Sequence, residues 1–235
     1  MPLQTTIVTS ESDLPEICTL DYDGWQTPYN PQLKHFRPSF NTRNEAISWH
    51  INKRATKMRE QQPNYFFVKC FDTETNTILG YATWYFNENP AAGEPVKAVW
   101  HPEGSDEREF AERFINGLWG FIESRVTRPH MDLHGIVVHP GHRKRGAGRA
   151  LIRWGIGKAD ELGVETVISS LLSARGAYEK CGLGCIEGIP PDPSLKVENP
   201  SLKWEKLQED DLSGWLMWRP IGHDYVEGVD KAPWL

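Results

Sequence analysis

Between Gly135 and Leu151 the chain reads GIVVHPGHRKRGAGRAL. Arg143, Lys144, Arg145 and Arg149 are interleaved there with Gly146 and Gly148, behind a β-branched stretch that stops at Pro140. Glycine lets a backbone approach a ligand closely. The start of a helix offers unpaired N–H groups and the positive end of its dipole. Set around one small volume, these groups suit a phosphate or pyrophosphate. A dinucleotide fingerprint needs G-x-G-x-x-G near the first strand and an acid about twenty residues further on, and neither is present. A P-loop needs Lys-Ser/Thr after its glycines, which is also missing. For His142 to Arg145 taken alone, a solvated charge run or a nuclear signal stays open.

Further along comes Ala177-Tyr178-Glu179-Lys180-Cys181-Gly182-Leu183. Arg143-x-x-Gly146-x-Gly148 followed by this second motif resembles the GNAT superfamily of acetyl-CoA-dependent N-acetyltransferases, and looks particularly like small GNAT enzymes of fungal type. The resemblance covers residues 131–188 best. Ala177 and Leu183 depart from the family's aromatic residues at packing positions.

The resemblance implies a single α/β domain over residues 1–235. Its mixed central sheet would have about seven strands flanked by helices, splayed at the coenzyme A site, with an extra helical insertion at about 87–130. It implies acetyl-CoA as co-substrate, with Arg143, Lys144, Arg145, Gly146, Ala147, Gly148 and Arg149 around the pyrophosphate. Arg143, Arg145 and Arg149 are preferred over Lys144 because a guanidinium binds phosphate in bidentate fashion. Ile136, Val137 and Val138 would line the pantetheine arm, with Ser170 nearby. It also implies direct attack of an amine on the thioester, with Tyr178 protonating or hydrogen-bonding the leaving thiolate.

An alkylamine of pKa about 10.4 needs about 4 kcal/mol to lose its proton at neutral pH. Asp132 and His134 alternate onto one strand face and are the candidate bases, with Glu88 weaker. Trp25, Tyr29, Trp84 and Tyr85 fall where the family builds its acceptor pocket, and core packing is the plain alternative for each. A small-molecule primary amine is the expected acceptor. A protein amine, a longer acyl donor and a non-catalytic acyl-CoA-binding or sensing domain stay open.

The net charge of −6 argues against nucleic acid as a partner. Cys18, Cys70, Cys181 and Cys185 form no CxxC or His-flanked metal spacing, so free thiols and no metal are expected. Neither a secretory start nor a membrane-spanning stretch is legible. The reading places a monomer or homodimer in the cytoplasm, with the nucleus open.

These groups need a scaffold. Strands are expected at Thr5–Val8, Tyr65–Phe71, Ile78–Phe86, His130–His139, Thr166–Leu171, from Ile186, and at Gly214–Pro220. Helices are expected around Leu14–Leu20, from Thr42 to about Gln62, over Asp106–Arg125, up to Leu162 with Leu151, Trp154 and Leu162 inward, and over Ala174–Lys180. Trp25–Phe40 and Pro90–Gly104 read as loops, and Pro190–Asp211 gives no clear pattern.

Overall fold

A computed structural model describes residues 2–60, 63–90 and 93–235. Met1, the expected helix end at Gln62, and Ala91 and Ala92 of the expected loop lie outside the described residues. The seven expected strands are present as β1 (Leu3–Ile7), β2 (Tyr65–Asp72), β3 (Ile78–Asn87), β4 (His130–Val138), β5 (Glu165–Ser170), β6 (Gly184–Ile189) and β7 (Gly214–Arg219). They form one mixed sheet in the order β1-β2-β3-β4-β5-β7-β6, in which only β4 and β5 run parallel.

The helices flank this sheet. On one side lie α1 (Leu14–Trp25) and α3 (Arg43–Arg59). Leu14, Ile17 and Leu20 of α1 pack with Phe67, Tyr81 and Val137 from the strands. Thr42 caps α3 by accepting a hydrogen bond from the Glu45 amide, and Glu45 Oε2 accepts in return from the Asn41 amide. On the other side α5 (Ala147–Leu162) buries Leu151, Ile152 and Ile156. Gly163 ends α5 in the left-handed conformation, φ 67°, where glycine is strongly favoured.

The segment expected as an insertion holds the helix α4 (Asp106–Glu123), capped by Ser105. Its Phe110, Phe114 and Ile115 face α2 (Leu33–Phe36) and α7 (Leu202–Gln208). Both short helices fall in segments without a sequence pattern. Prolines lie beside both, and α2 has only four residues and α7 seven, although Ser201 gives α7 a side-chain cap. Leu162 corrects an expectation: it is 38% exposed on the outer end of α5.

Trp84 corrects another. It is fully buried, its indole N–H donates to Leu151 O at 3.3 Å, and its ring lies against Gly155 of α5. It is a core residue that sets how closely α5 sits on the sheet, rather than part of an acceptor pocket. A Cβ at Gly155 would meet the indole at 2.1 Å. Gly155→Val is expected to destabilise the protein by about 1–3 kcal/mol through overpacking, read by urea unfolding. An unchanged midpoint would contradict this packing.

Two buried histidines add a pH dependence. His35 stacks on Phe110 with ring centres 5.1 Å apart, and His50 packs edge-on to Trp49. Burial lowers each pKa to about 4, against about 6.5 in the unfolded chain. Between those values the unfolded chain holds protons that the fold refuses. Stability should therefore fall as pH drops through the window, by up to about 1.4 kcal/mol per pH unit per histidine. A flat unfolding free energy across it would contradict two neutral buried imidazoles.

Candidate active site

The parallel pair is short. Only His130, Met131 and Asp132 of β4 align with Glu165, Thr166 and Val167 of β5. Beyond them β4 continues paired with β3 alone, and its other edge from Leu133 to Val138 has no strand partner. The expected splay is present, and a cavity of about 840 Å³ opens where the strands part. Its walls are the end of β4, the loop and first turn of α5, the Leu171–Ala174 turn, and α6 (Arg175–Glu179), with the Gly24–Gln32 segment opposite.

The basic loop forms one wall. Lys144 and Gly146 both have positive φ, 62° and 97°. This curls the chain so that no amide from Lys144 to Arg149 is taken up by a hydrogen bond among the described residues. Gly146 is demanded by its own φ. Gly148 is different: an added Cβ would make only an ordinary 3.5 Å contact with Val138, so the protein's packing does not require glycine there. It leaves room at the cavity wall.

The cations divide unexpectedly. The Arg143 guanidinium donates to Gly24 O at 2.9 Å, to Val138 O at 3.3 Å and to Thr27 O. It thus ties the end of α1 to the end of β4 while bordering the cavity. Arg145 contacts His142 Nδ1 at 2.9 Å and lies off the cavity wall. Lys144 and Arg149 line it. The sequence preference for Arg145 over Lys144 is therefore reversed by the geometry.

A second cavity, about 500 Å³, adjoins the first. Trp25, Ile136, Ala174 and Tyr178 border both. Tyr178 is buried, and desolvation, followed by the nearby Cys181, pushes its pKa well up, so it stays protonated. Its hydroxyl has no hydrogen-bond partner among the described residues. It stands free to donate where the two cavities meet.

His134 also borders the second cavity. The register between β3 and β4 slips so that Gly135 faces Thr83 and Leu133 faces Trp84, leaving His134 as the bulged residue. The bulge turns its ring out between Tyr85 and Trp119, at 5.6 and 6.2 Å. His134 Nε2 lies 3.1 Å from Asp132 Oδ2. Asp132 itself does not reach the cavity wall, so it can orient the imidazole and leave Nδ1 for a ligand.

Other candidates are placed as follows. Tyr29 borders the first cavity only, and Ser170 the second, its hydroxyl donating to Leu171 O at 2.8 Å. Ile136, Val137 and Val138 all line the first cavity, although Val137 also packs under α1. Tyr85 is half-buried beside His134 and off both cavity walls, and Glu88 is exposed beyond β3.

Sequence reasoning missed a buried polar group beneath the second cavity. Tyr81 donates to Asp21 Oδ1 at 2.5 Å, and Arg54 donates to Tyr81 Oη at 2.6 Å and Asp21 Oδ2 at 3.2 Å. His50 Nδ1 sits 3.3 Å from the Arg54 guanidinium. Burial raises the Tyr81 pKa well above its ordinary value, and the Tyr81 and Asp21 oxygens raise that of Arg54 against desolvation. The recurrence of His50, Lys53, Arg54 and Lys57 at helical spacing was the available signal. Among the described residues there is no cluster of three metal-ligating side chains, and no helix long and apolar enough to cross a membrane.

The fold and sequence have relatives. Over 94–100% of this chain, solved structures match at 13–16% identity. One is a histone acetyltransferase HPA2 and related acetyltransferase from Corynebacterium glutamicum (TM-score 0.58, 16% identity, 96% of this chain and 100% of that one). Another is a mosquito arylalkylamine N-acetyltransferase like 5b (TM-score 0.57, 13% identity, 94% and 100%). A third is a GNAT superfamily phosphinothricin acetyltransferase from Sinorhizobium meliloti in complex with AcCoA (TM-score 0.51, 15% identity, 100% and 98%). No curated protein matches the chain by sequence. The family model described as "Acetyltransferase (GNAT) family" matches residues 25–183, the span that holds the basic loop, the splayed strands and Tyr178. The chain belongs to the GNAT acetyltransferase family and is an acyltransferase.

Proposed function

We propose that the protein transfers the acetyl group of acetyl-CoA to the primary amine of a small molecule. The observation that carries this reading is the meeting of two cavities at the unpartnered, protonated Tyr178. The larger one suits coenzyme A. Its unpaired amides and the positive end of α5 face the pyrophosphate, and Lys144 and Arg149 add charge. The partnerless edge of β4 offers backbone donors and acceptors to the pantetheine amides, as a neighbouring strand would. AcCoA in the Sinorhizobium neighbour's crystal agrees with this choice.

The smaller cavity takes the amine. Phe114, Leu118 and Trp119 of the inserted α4 form one wall, which favours a small molecule over an extended protein tail. Asp132 holds His134, whose free ring nitrogen accepts the proton of the ammonium, directly or through a water. The neutral nitrogen then attacks the thioester carbonyl carbon. As the tetrahedral intermediate collapses and the C–S bond breaks, the attacking nitrogen gives up its second proton, which water carries to the departing thiolate, and the Tyr178 hydroxyl donates a hydrogen bond to that sulfur. The products are an amide and coenzyme A. The reading keeps nucleic acid, membrane and metal out of the reaction, with the protein a cytoplasmic monomer or homodimer.

Tyr178→Phe keeps the packing and removes the donor. Turnover should fall about 100-fold while the KM for acetyl-CoA changes little, measured by thiol release. Unchanged turnover would remove Tyr178 from the reaction. His134→Gln should cost an alkylamine acceptor about 100-fold in kcat and spare an arylamine, which is already neutral at pH 7. Equal losses on both would argue for a structural His134.

A further inference from the structure

The charge lining the second cavity is one-sided. His50, Lys53, Arg54 and Lys57 come from one face of α3, and Arg37 from the segment before it. Against these four cations and a neutral imidazole stands one lining carboxylate, Asp21. Its charge is already engaged by Tyr81 and Arg54. Lys53 and Lys57 enter no ion pair among the described residues. Their ammonium groups lie 4.7 Å over the Trp49 ring and 4.9 Å over the Tyr65 ring. Arg54 Nε and His50 Nε2 are buried and have no hydrogen-bond partner among the described residues. In a chain of net charge −6, such a lining runs against the average.

An uncharged amine would leave these groups unmatched. We propose that the acceptor carries an anionic group, a carboxylate or phosphate, held by Lys53, Arg54 and Lys57. This rests on the reading of the second cavity as the acceptor site. Trp49, Phe114 and Trp119 cover the apolar body of the same molecule, and its amine reaches His134 and Tyr178 at the far wall. The bound anion offsets the crowding of like charges along α3. That crowding is real: burial, then Lys57 and Arg54, hold the Lys53 pKa below its ordinary value although part of the side chain is exposed. Asp21 does not oppose the anion, because Arg54 supplies its counter-charge and the neutral Tyr81 hydroxyl donates a hydrogen bond to it. That leaves Lys53, Lys57 and Arg37 as the unmatched cations among the described residues.

The test is acetyl transfer to matched acceptors that differ by one anionic group: phenethylamine against phenylalanine, pentylamine against 6-aminohexanoate, and ethanolamine against O-phosphoethanolamine. The anionic member of at least one pair should have a kcat/KM about tenfold higher, and the advantage should shrink with added salt. The carboxylate and phosphate pairs show which anion is taken. Lys53→Gln with Lys57→Gln should raise the KM for that member about tenfold and erase the preference. Neutral members used as well or better in every pair would overturn the proposal, as would a double variant that shifts both members alike. If coenzyme A binds and no amine is acetylated, the proposed function fails. Calorimetric titration of the same pairs into the coenzyme A complex then decides this inference, and binding that ignores the anion overturns it.

Discussion

The parting of β4 from β5 after three paired residues governs the rest of the molecule. A buried strand edge with unpaired N–H and C=O groups is costly unless something supplies partners. Here β3 holds β4 along its whole length, while β7 pairs with β5 from Thr166 to Ser170 and draws it the other way. Close packing fixes β4 from above. A Cβ at Gly24 of α1 would meet Val137 Cγ1 at 2.2 Å, and one at Gly80 of β3 would meet Val137 O at 2.6 Å. The helix and the neighbouring strand are therefore pressed onto the residue beside the gap, which keeps the gap from closing. A ligand with its own amides is the natural partner for that edge.

Arg143 shows how fold and site share one side chain. Its donors satisfy carbonyls at the end of α1 and of β4, and a cation at a helix C-terminus is favourable. With that guanidinium engaged, the proposed recognition of a pyrophosphate rests on the six amides from Lys144 to Arg149, which have no partner among the described residues, and on the Lys144 and Arg149 side chains beside them. Backbone amides are rigid, so they fix the ligand's position without the entropy cost of ordering long side chains. The site thus relies on conformation at Lys144 and Gly146 more than on the number of cations.

This division explains what was legible in the sequence. One wall of the first cavity is built from consecutive residues, a strand, a turn and a helix start, and its glycines, followed by Tyr178, could be recognised in order. The strands were legible as β-branched and aromatic runs, and Pro140, Pro190 and Pro220 mark where β4, β6 and β7 stop. The second cavity draws its walls from α3, α4, β3, β4 and the 211–214 turn, segments that meet only in the folded chain. Trp84 and Tyr85 are neighbours on β3, yet alternation sends one into the core and the other beside His134. No local signal says which way the bulge turns that strand. The bulge itself places His134 in the cavity, and it depends on pairing between two strands distant in sequence.

Tyr178 also bears on the order of proton movements. Burial raises the Tyr178 pKa well above that of a free tyrosine, because the phenolate is the charged form. Complete transfer of its proton to the departing thiolate would leave that phenolate in a desolvated site, which is uphill. A hydrogen bond that is held throughout is the better use of this hydroxyl, because it strengthens as negative charge grows on sulfur and asks for no phenolate in a dry pocket. In the proposed reaction, the proton that finally neutralises the thiol then comes from the amine nitrogen, through His134 or water. His134 and Tyr178 border one cavity, so in that reaction a proton removed on one side of the carbonyl would be available to the sulfur on the other.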